Sequence, residues 1–167
     1  MVVYEIDFYL IGAQSRDVWI NHLSVVKRTT NDIDFAVYVP DQYTWEQLSE
    51  YLTDKENFQR DPEPPYRFYL NSQMLDLVPF GVLERNGEVH LENPHMELSV
   101  YGCTEVVSGA PTFSEKYKVI TLPGICILKL IAFGDKPDWR QKDFEDFLLV
   151  LENYGDIAGE ELFAGDY

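Results

Sequence analysis

The sequence predicts one α+β domain, 1–167, and three patterns carry that prediction. Apolar residues alternate in short strand-like runs through the first half of the chain. A stretch dense in turn signals spans 81–120, and two helix-length apolar patterns follow at 123–133 and 138–153. With 167 residues, 46% of them hydrophobic and 14% aromatic, the chain is long enough for a sizeable core and too apolar to be disordered.

Taken in order, Tyr4, Ile6, Phe8 and Leu10 alternate as a strand over 4–11, which Gly12-Ala13 breaks. Ser15-Arg16-Asp17 opens a helix running to Leu23, with Val18, Trp19, His22 and Leu23 as its inner positions. Arg28-Thr29-Thr30-Asn31 is a loop. In the strand after it, Ile33, Phe35, Val37 and Val39 face one way and Asp32, Asp34, Ala36 and Tyr38 the other, and Pro40 ends it. Thr44-Trp45-Glu46-Gln47 has the capping-box pattern, and Trp45, Leu48 and Leu52 share a face of the short helix it starts. A loop at 60–65 precedes strands at 66–70 and 74–78, joined by a tight turn at Asn71-Ser72. Hairpins are expected at Asn86-Gly87, Asn93-Pro94 and Gly109-Ala110-Pro111. Pro123 at a first helical position opens a helix that Gly134 closes; being apolar all round, it should be buried. In the last helix Phe144, Phe147, Leu148 and Leu151 form the apolar stripe, with Gly155 after its end.

Composition removes several function classes. A net charge of −16 argues against a general nucleic-acid binder, whose affinity comes from neutralising phosphates. No apolar run is long enough to span a membrane, and the N-terminus lacks the basic and apolar blocks of a signal peptide. Cys103 and Cys126 read as reduced thiols of a cytoplasmic protein, and His22, His90 and His95 have no zinc-ligand spacing with them.

The chemistry concentrates in a few positions. Asp32 and Asp34 lie on one strand face, about 7 Å apart at Cα, a spacing at which paired acids hold Mg²⁺. With 14 Asp in 167 residues, chance alone supplies about one Asp-x-Asp, so the surroundings carry the weight. Asp76 is a lone carboxylate in the apolar run Met74-Leu75-Asp76-Leu77-Val78, costly there unless paired, hydrogen-bonded or bound to metal. Lys129 interrupts an otherwise apolar helix and must snorkel or meet an anion. Gly12-Ala13, between a strand and a helix, is a context in which backbone N–H groups approach phosphate. Arg16 and Asp17 read equally as a surface pair. The last helix adds Arg140, Lys142, Asp143 and Asp146, with Lys142 and Asp146 one turn apart.

In this order the pieces resemble the nucleotidyltransferase superfamily related to DNA polymerase β, in particular its abortive-infection toxin (AbiEii-like) branch. The resemblance runs from about Phe8 to Leu151, through Gly12-Ala13-Gln14-Ser15-Arg16-Asp17, Asn31-Asp32-Ile33-Asp34-Phe35, Asp76-Leu77-Val78-Pro79-Phe80-Gly81, Lys129-Leu130-Ile131-Ala132 and Arg140-Gln141-Lys142-Asp143. It implies a mixed β-sheet flanked by helices, a hairpin-rich insertion and two C-terminal helices. Asp32, Asp34 and Asp76 would hold Mg²⁺ or Mn²⁺, Asp76 alternatively serving as base. Gly12, Ala13 and Ser15 would cradle the phosphates of an NTP, with Arg16 and Lys142 as further nucleotide contacts. Lys129 would meet the triphosphate, and Asp146 would sit in the family's last motif. Gly-Ala stands where the superfamily usually has Gly-Ser or Gly-Gly, which removes a hydroxyl that Ser15 would replace.

The activity so implied is NMP transfer from an NTP to a hydroxyl acceptor: an RNA such as a tRNA 3′ end, a small molecule or a protein. The competing class is a non-catalytic module of the same fold that binds a protein partner such as an antitoxin. A metal-dependent phosphohydrolase built on the same acids is the third.

Overall fold

The computed structural model describes residues 6–25, 29–92, 95–114 and 117–158. Tyr4, Arg28 and the Asn93-Pro94 turn lie outside them. Strand β1 (Phe8–Ile11) runs directly into helix α1 (Gly12–Ile20), and β2 (Asp32–Val39) follows. Next come α2 (Gln42–Asp54), the two-residue β3 (Gln59–Arg60), β4 (Arg67–Leu70) and β5 (Gln73–Gly81). The turn-rich stretch folds as β6 (Glu88–Glu92), β7 (His95–Ser99), the short helix α3 (Cys103–Val106), β8 (Thr112–Ser114) and β9 (Tyr117–Val119). Helices α4 (Leu122–Asp135), α5 (Gln141–Glu152) and α6 (Tyr154–Ala158) end the described chain.

Seven strands form one mixed sheet in the order β3-β4-β5-β2-β1-β9-β8, while β6 and β7 pair separately. The two central strands, β2 and β5, run parallel; β1 and β4 flank them antiparallel. The alternation read in β2 holds, and Ala36, Val37 and Val39 are fully buried. One sheet face carries Phe68, which meets Trp45 of α2 edge-on at 6.4 Å. The other carries Tyr9, Tyr38 and Phe80, again edge-to-face.

Local chemistry explains where the elements begin and end. Asn71 and Ser72 both have positive φ, the two-residue turn that matches hairpin twist. Strand β5 runs three residues past its expected end and through Pro79. Beyond Asp76 it has no β4 partner, so the missing proline N–H breaks no ladder. Helix α2 is capped by Asp41, whose carboxylate accepts from the Thr44 N–H at 2.7 Å, so the capping residue is Asp41 and Thr44 lies inside the helix. Thr121 caps α4, and Pro123 falls in the first turn.

Three helical expectations are corrected. Helix α1 begins at Gly12, ends before His22, and turns Ser15, Arg16 and Ile20 inward. Helix α4 is not enclosed: Ile127 and Leu130 are exposed. In α5 the buried face is Asp143, Asp146 and Val150, while Leu148 and Leu151 are exposed, and Gly155 lies within α6. No described helix is long and apolar enough to cross a membrane.

Candidate active site

The sheet register assembles the acids. In the parallel β2–β5 pair Asp34 stands beside Asp76, and in the antiparallel β4–β5 pair Asp76 stands opposite Arg67. Laterally paired residues share a face, so Arg67, Asp76 and Asp34 form a row across three strands, with Asp32 two residues along β2 on the same face. Ile11 is the next member of that row, and the chain turns from it at Gly12 into α1. Gly12 has φ +67°, and a Cβ there would stand 2.1 Å from Asp34 Oδ2. Glycine is required on both counts: the left-handed backbone, and the carboxylate lying against it.

The three acids have different environments. Asp34 is pushed up to about 6, first by burial, then by the neighbouring charges of Asp76 and Asp32, with Lys129 and Lys142 opposing. Asp32 is held below its ordinary value, chiefly because the Thr30 hydroxyl donates to its Oδ1. Asp76 is almost buried and engaged by a guanidinium fork: Arg67 Nε donates to Oδ1 and Nη2 to Oδ2, both at 2.8 Å. The same bond raises the Arg67 pKa, and burial with the Asp76 charge raises that of the Tyr66 phenol.

These groups floor an open cleft of about 460 Å³. Of the residues singled out from sequence, Gly12, Ala13, Asp32, Asp34, Asp76, Lys129, Arg140, Lys142 and Asp143 line it. Ser15, Arg16 and Asp146 do not. The Ser15 hydroxyl donates to Gly12 O at 2.8 Å inside α1. Arg16 is wholly buried and bonds Asp146 and Asp17. Lys129 Nζ lies 2.7 Å from Asp143 and 2.8 Å from Asp146, and Arg140 reaches Asp143 at 3.4 Å. Two buried cations and two buried anions thus join α1, α4 and α5. In that network Arg16 and Asp146 stand off the cleft, while Lys129, Asp143 and Arg140 border both network and cleft.

Sequence reasoning did not single out Arg67, although the signal was present. A two-residue turn at Asn71-Ser72 pairs Leu70 with Gln73, and counting outward puts Arg67 opposite Asp76. Nor did it single out Trp139, which lines the cleft and is 84% exposed.

The carboxylate set is all oxygen, the donor type that suits Mg²⁺ or Mn²⁺, and repulsion among the acids is what a divalent cation would relieve. In the conformation described, no three acidic, His or Cys side chains among the described residues are gathered closely enough to enclose one. Arg67 engages Asp76 on one flank and Thr30 engages Asp32 on the other.

No protein-family model matches the chain, and no curated protein does. Among solved structures, the chain is similar to the solution structure of the antibiotic-resistance factor ANT(2'')-Ia, with 14% identity, 90% of this chain and 76% of that one covered, and a TM-score of 0.50. It is also similar to the crystal structure of ANT(2'')-Ia in complex with adenylyl-2''-tobramycin, with 14% identity, 90% and 81% covered, and a TM-score of 0.48. The first of these likenesses shows the fold alone: a mixed sheet flanked by helices, of the nucleotidyltransferase-like kind.

Proposed function

We propose that this protein is a divalent-cation-dependent nucleotidyltransferase that moves NMP from an NTP to a hydroxyl of a small acceptor. The observation that supports this best is the carboxylate row itself: Asp34 flanked by Asp76 and Asp32 on a cleft floor, against Gly12 at the start of α1. Asp32, Asp34 and Asp76 would hold the divalent cation, which would supply charge neutralisation at the phosphates. Lys142, at the cleft wall, and the backbone at Gly12-Ala13 would contact the triphosphate. The acceptor oxygen forms a bond to the α-phosphorus, the α–β bridging bond breaks, and pyrophosphate leaves. The acceptor proton passes to a carboxylate of the row, for which we assign Asp76.

A small acceptor is assigned because a chain of net charge −16 repels an extended RNA. Capture of tRNA from cells by the Asp34→Asn protein would reverse that assignment in favour of the toxin-like acceptor. The experiment that tests the activity is calorimetry with each of the four NTPs, with and without Mg²⁺, on wild type and on Asp32→Asn/Asp34→Asn. Mg²⁺-dependent binding that disappears in the double variant is expected. Absence of binding under every condition would overturn the catalytic reading.

That outcome would favour a non-catalytic module binding a protein such as an antitoxin, for which the exposed Ile127, Leu130, Leu148 and Leu151 on α4 and α5 speak.

A further inference from the structure

The charged row does not end at Asp76. Arg67 projects from β4 onto the same face, lines the same cleft, and takes both Asp76 oxygens in its fork. A guanidinium bound side-on in this way uses the lone pairs on the open side of the carboxylate, those through which a carboxylate accepts a proton or shares a cation. Arg67 is about a quarter exposed on its side chain and Asp76 a tenth, so the pair is reachable from the cleft without being dissolved in it.

The opposite flank has the same character. Thr30 donates to Asp32 as Arg67 donates to Asp76, so each outer acid has its own donor. The row shares a face and a cleft, and no three of its carboxylates are gathered around one point.

We infer that Arg67 is a positioning residue: it is the resting partner of Asp76, keeps that carboxylate aligned, and yields it when a divalent cation and nucleotide enter the cleft. The inference rests on the nucleotidyltransferase reading and adds a residue to it. Arg67 and the cation compete for the same two oxygens, so removing Arg67 strengthens cation binding in the absence of nucleotide. It also leaves Asp76 without its aligning partner, so turnover falls at saturating substrate. Lysine, a point charge, cannot occupy both oxygens and gives an intermediate state.

The test is Mn²⁺ binding without nucleotide, followed by the metal's paramagnetic signal and by calorimetry, on wild type, Arg67→Ala, Arg67→Lys, Asp76→Asn and Arg67→Ala/Asp76→Asn. The expected result is Mn²⁺ affinity about tenfold higher in Arg67→Ala, a smaller rise in Arg67→Lys, and no difference between Asp76→Asn and the double variant. A change that acts merely by loosening the fold would weaken Mn²⁺ binding and would survive in the Asp76→Asn background. If Arg67→Ala does not fold, Arg67→Lys carries the same comparison. Mn²⁺ affinity unchanged or lowered by both Arg67 variants overturns the role of Arg67 alone. If wild type binds no Mn²⁺ with or without NTP, the catalytic reading falls and this role with it.

Discussion

Asp34→Asn should make the cation-free protein more stable at neutral pH, and the magnitude follows from the environment of the carboxylate. Asp34 sits between Asp32 and Asp76, against Gly12, with its pKa raised from 3.8 to about 6. For a raised acid the sign is fixed. Its stabilising contribution is complete below the unfolded value, is lost as pH rises through the folded value, and the ionised form is a net cost above it. A shift of about two units at roughly 1.4 kcal/mol each is a cost of about 3 kcal/mol at pH 7.5. That is a large fraction of the 5–15 kcal/mol typical of a domain. Asparagine keeps the shape and removes the charge. The assay is urea unfolding of both proteins in chelator across pH 4 to 8. Asp34→Asn should be more stable by about 2–3 kcal/mol at pH 7.5, and the advantage should shrink steadily between pH 6 and 4. Equal stability at pH 7.5, or an advantage of constant size across the range, would refute the electrostatic account.

Two further outcomes discriminate site from scaffold. Gly12→Ala places a methyl group on the Asp34 carboxylate at a left-handed position; it should cost on the order of 2 kcal/mol in urea unfolding and abolish nucleotide binding by calorimetry. Arg16→Met orphans part of a buried charge network and should cost about 3–5 kcal/mol, while folded protein at low temperature retains its NTP affinity, because Arg16 does not line the cleft. Retained stability with lost affinity would return Arg16 to the nucleotide.

Much of the scaffold was legible because apolar alternation and turn chemistry report it directly. The strand–glycine–helix passage at Gly12, the alternation of β2, the Asn71-Ser72 hairpin and the Thr121–Pro123 start of α4 all follow from local rules. What escaped was burial of polar residues. Hydrophobic periodicity assigns the inner face of α5 to Phe144, Phe147, Leu148 and Leu151, yet Asp143 and Asp146 are the more deeply buried because Lys129 and Arg16 meet them there. Lys129 comes from the preceding helix and Arg16 from 130 residues upstream of Asp146, so the periodicity of α5 by itself does not reveal them. The strand limits failed similarly at Pro79, which is tolerated only because β4 is too short to pair with it.

Lys129 shows why the same residue type at the same spacing can serve two ends. Its ammonium borders the cleft while resting on Asp143 and Asp146, and it also acts on Asp34 by lowering its pKa. Withdrawing a buried cation from its partners is ordinarily prohibitive, since it leaves a buried charge uncompensated. Here each acid has a second cation: Arg140 lies 3.4 Å from Asp143, and Arg16 bonds Asp146. Were Lys129 to turn toward a phosphate in the cleft, Asp143 would still have Arg140 beside it and Asp146 would still have Arg16.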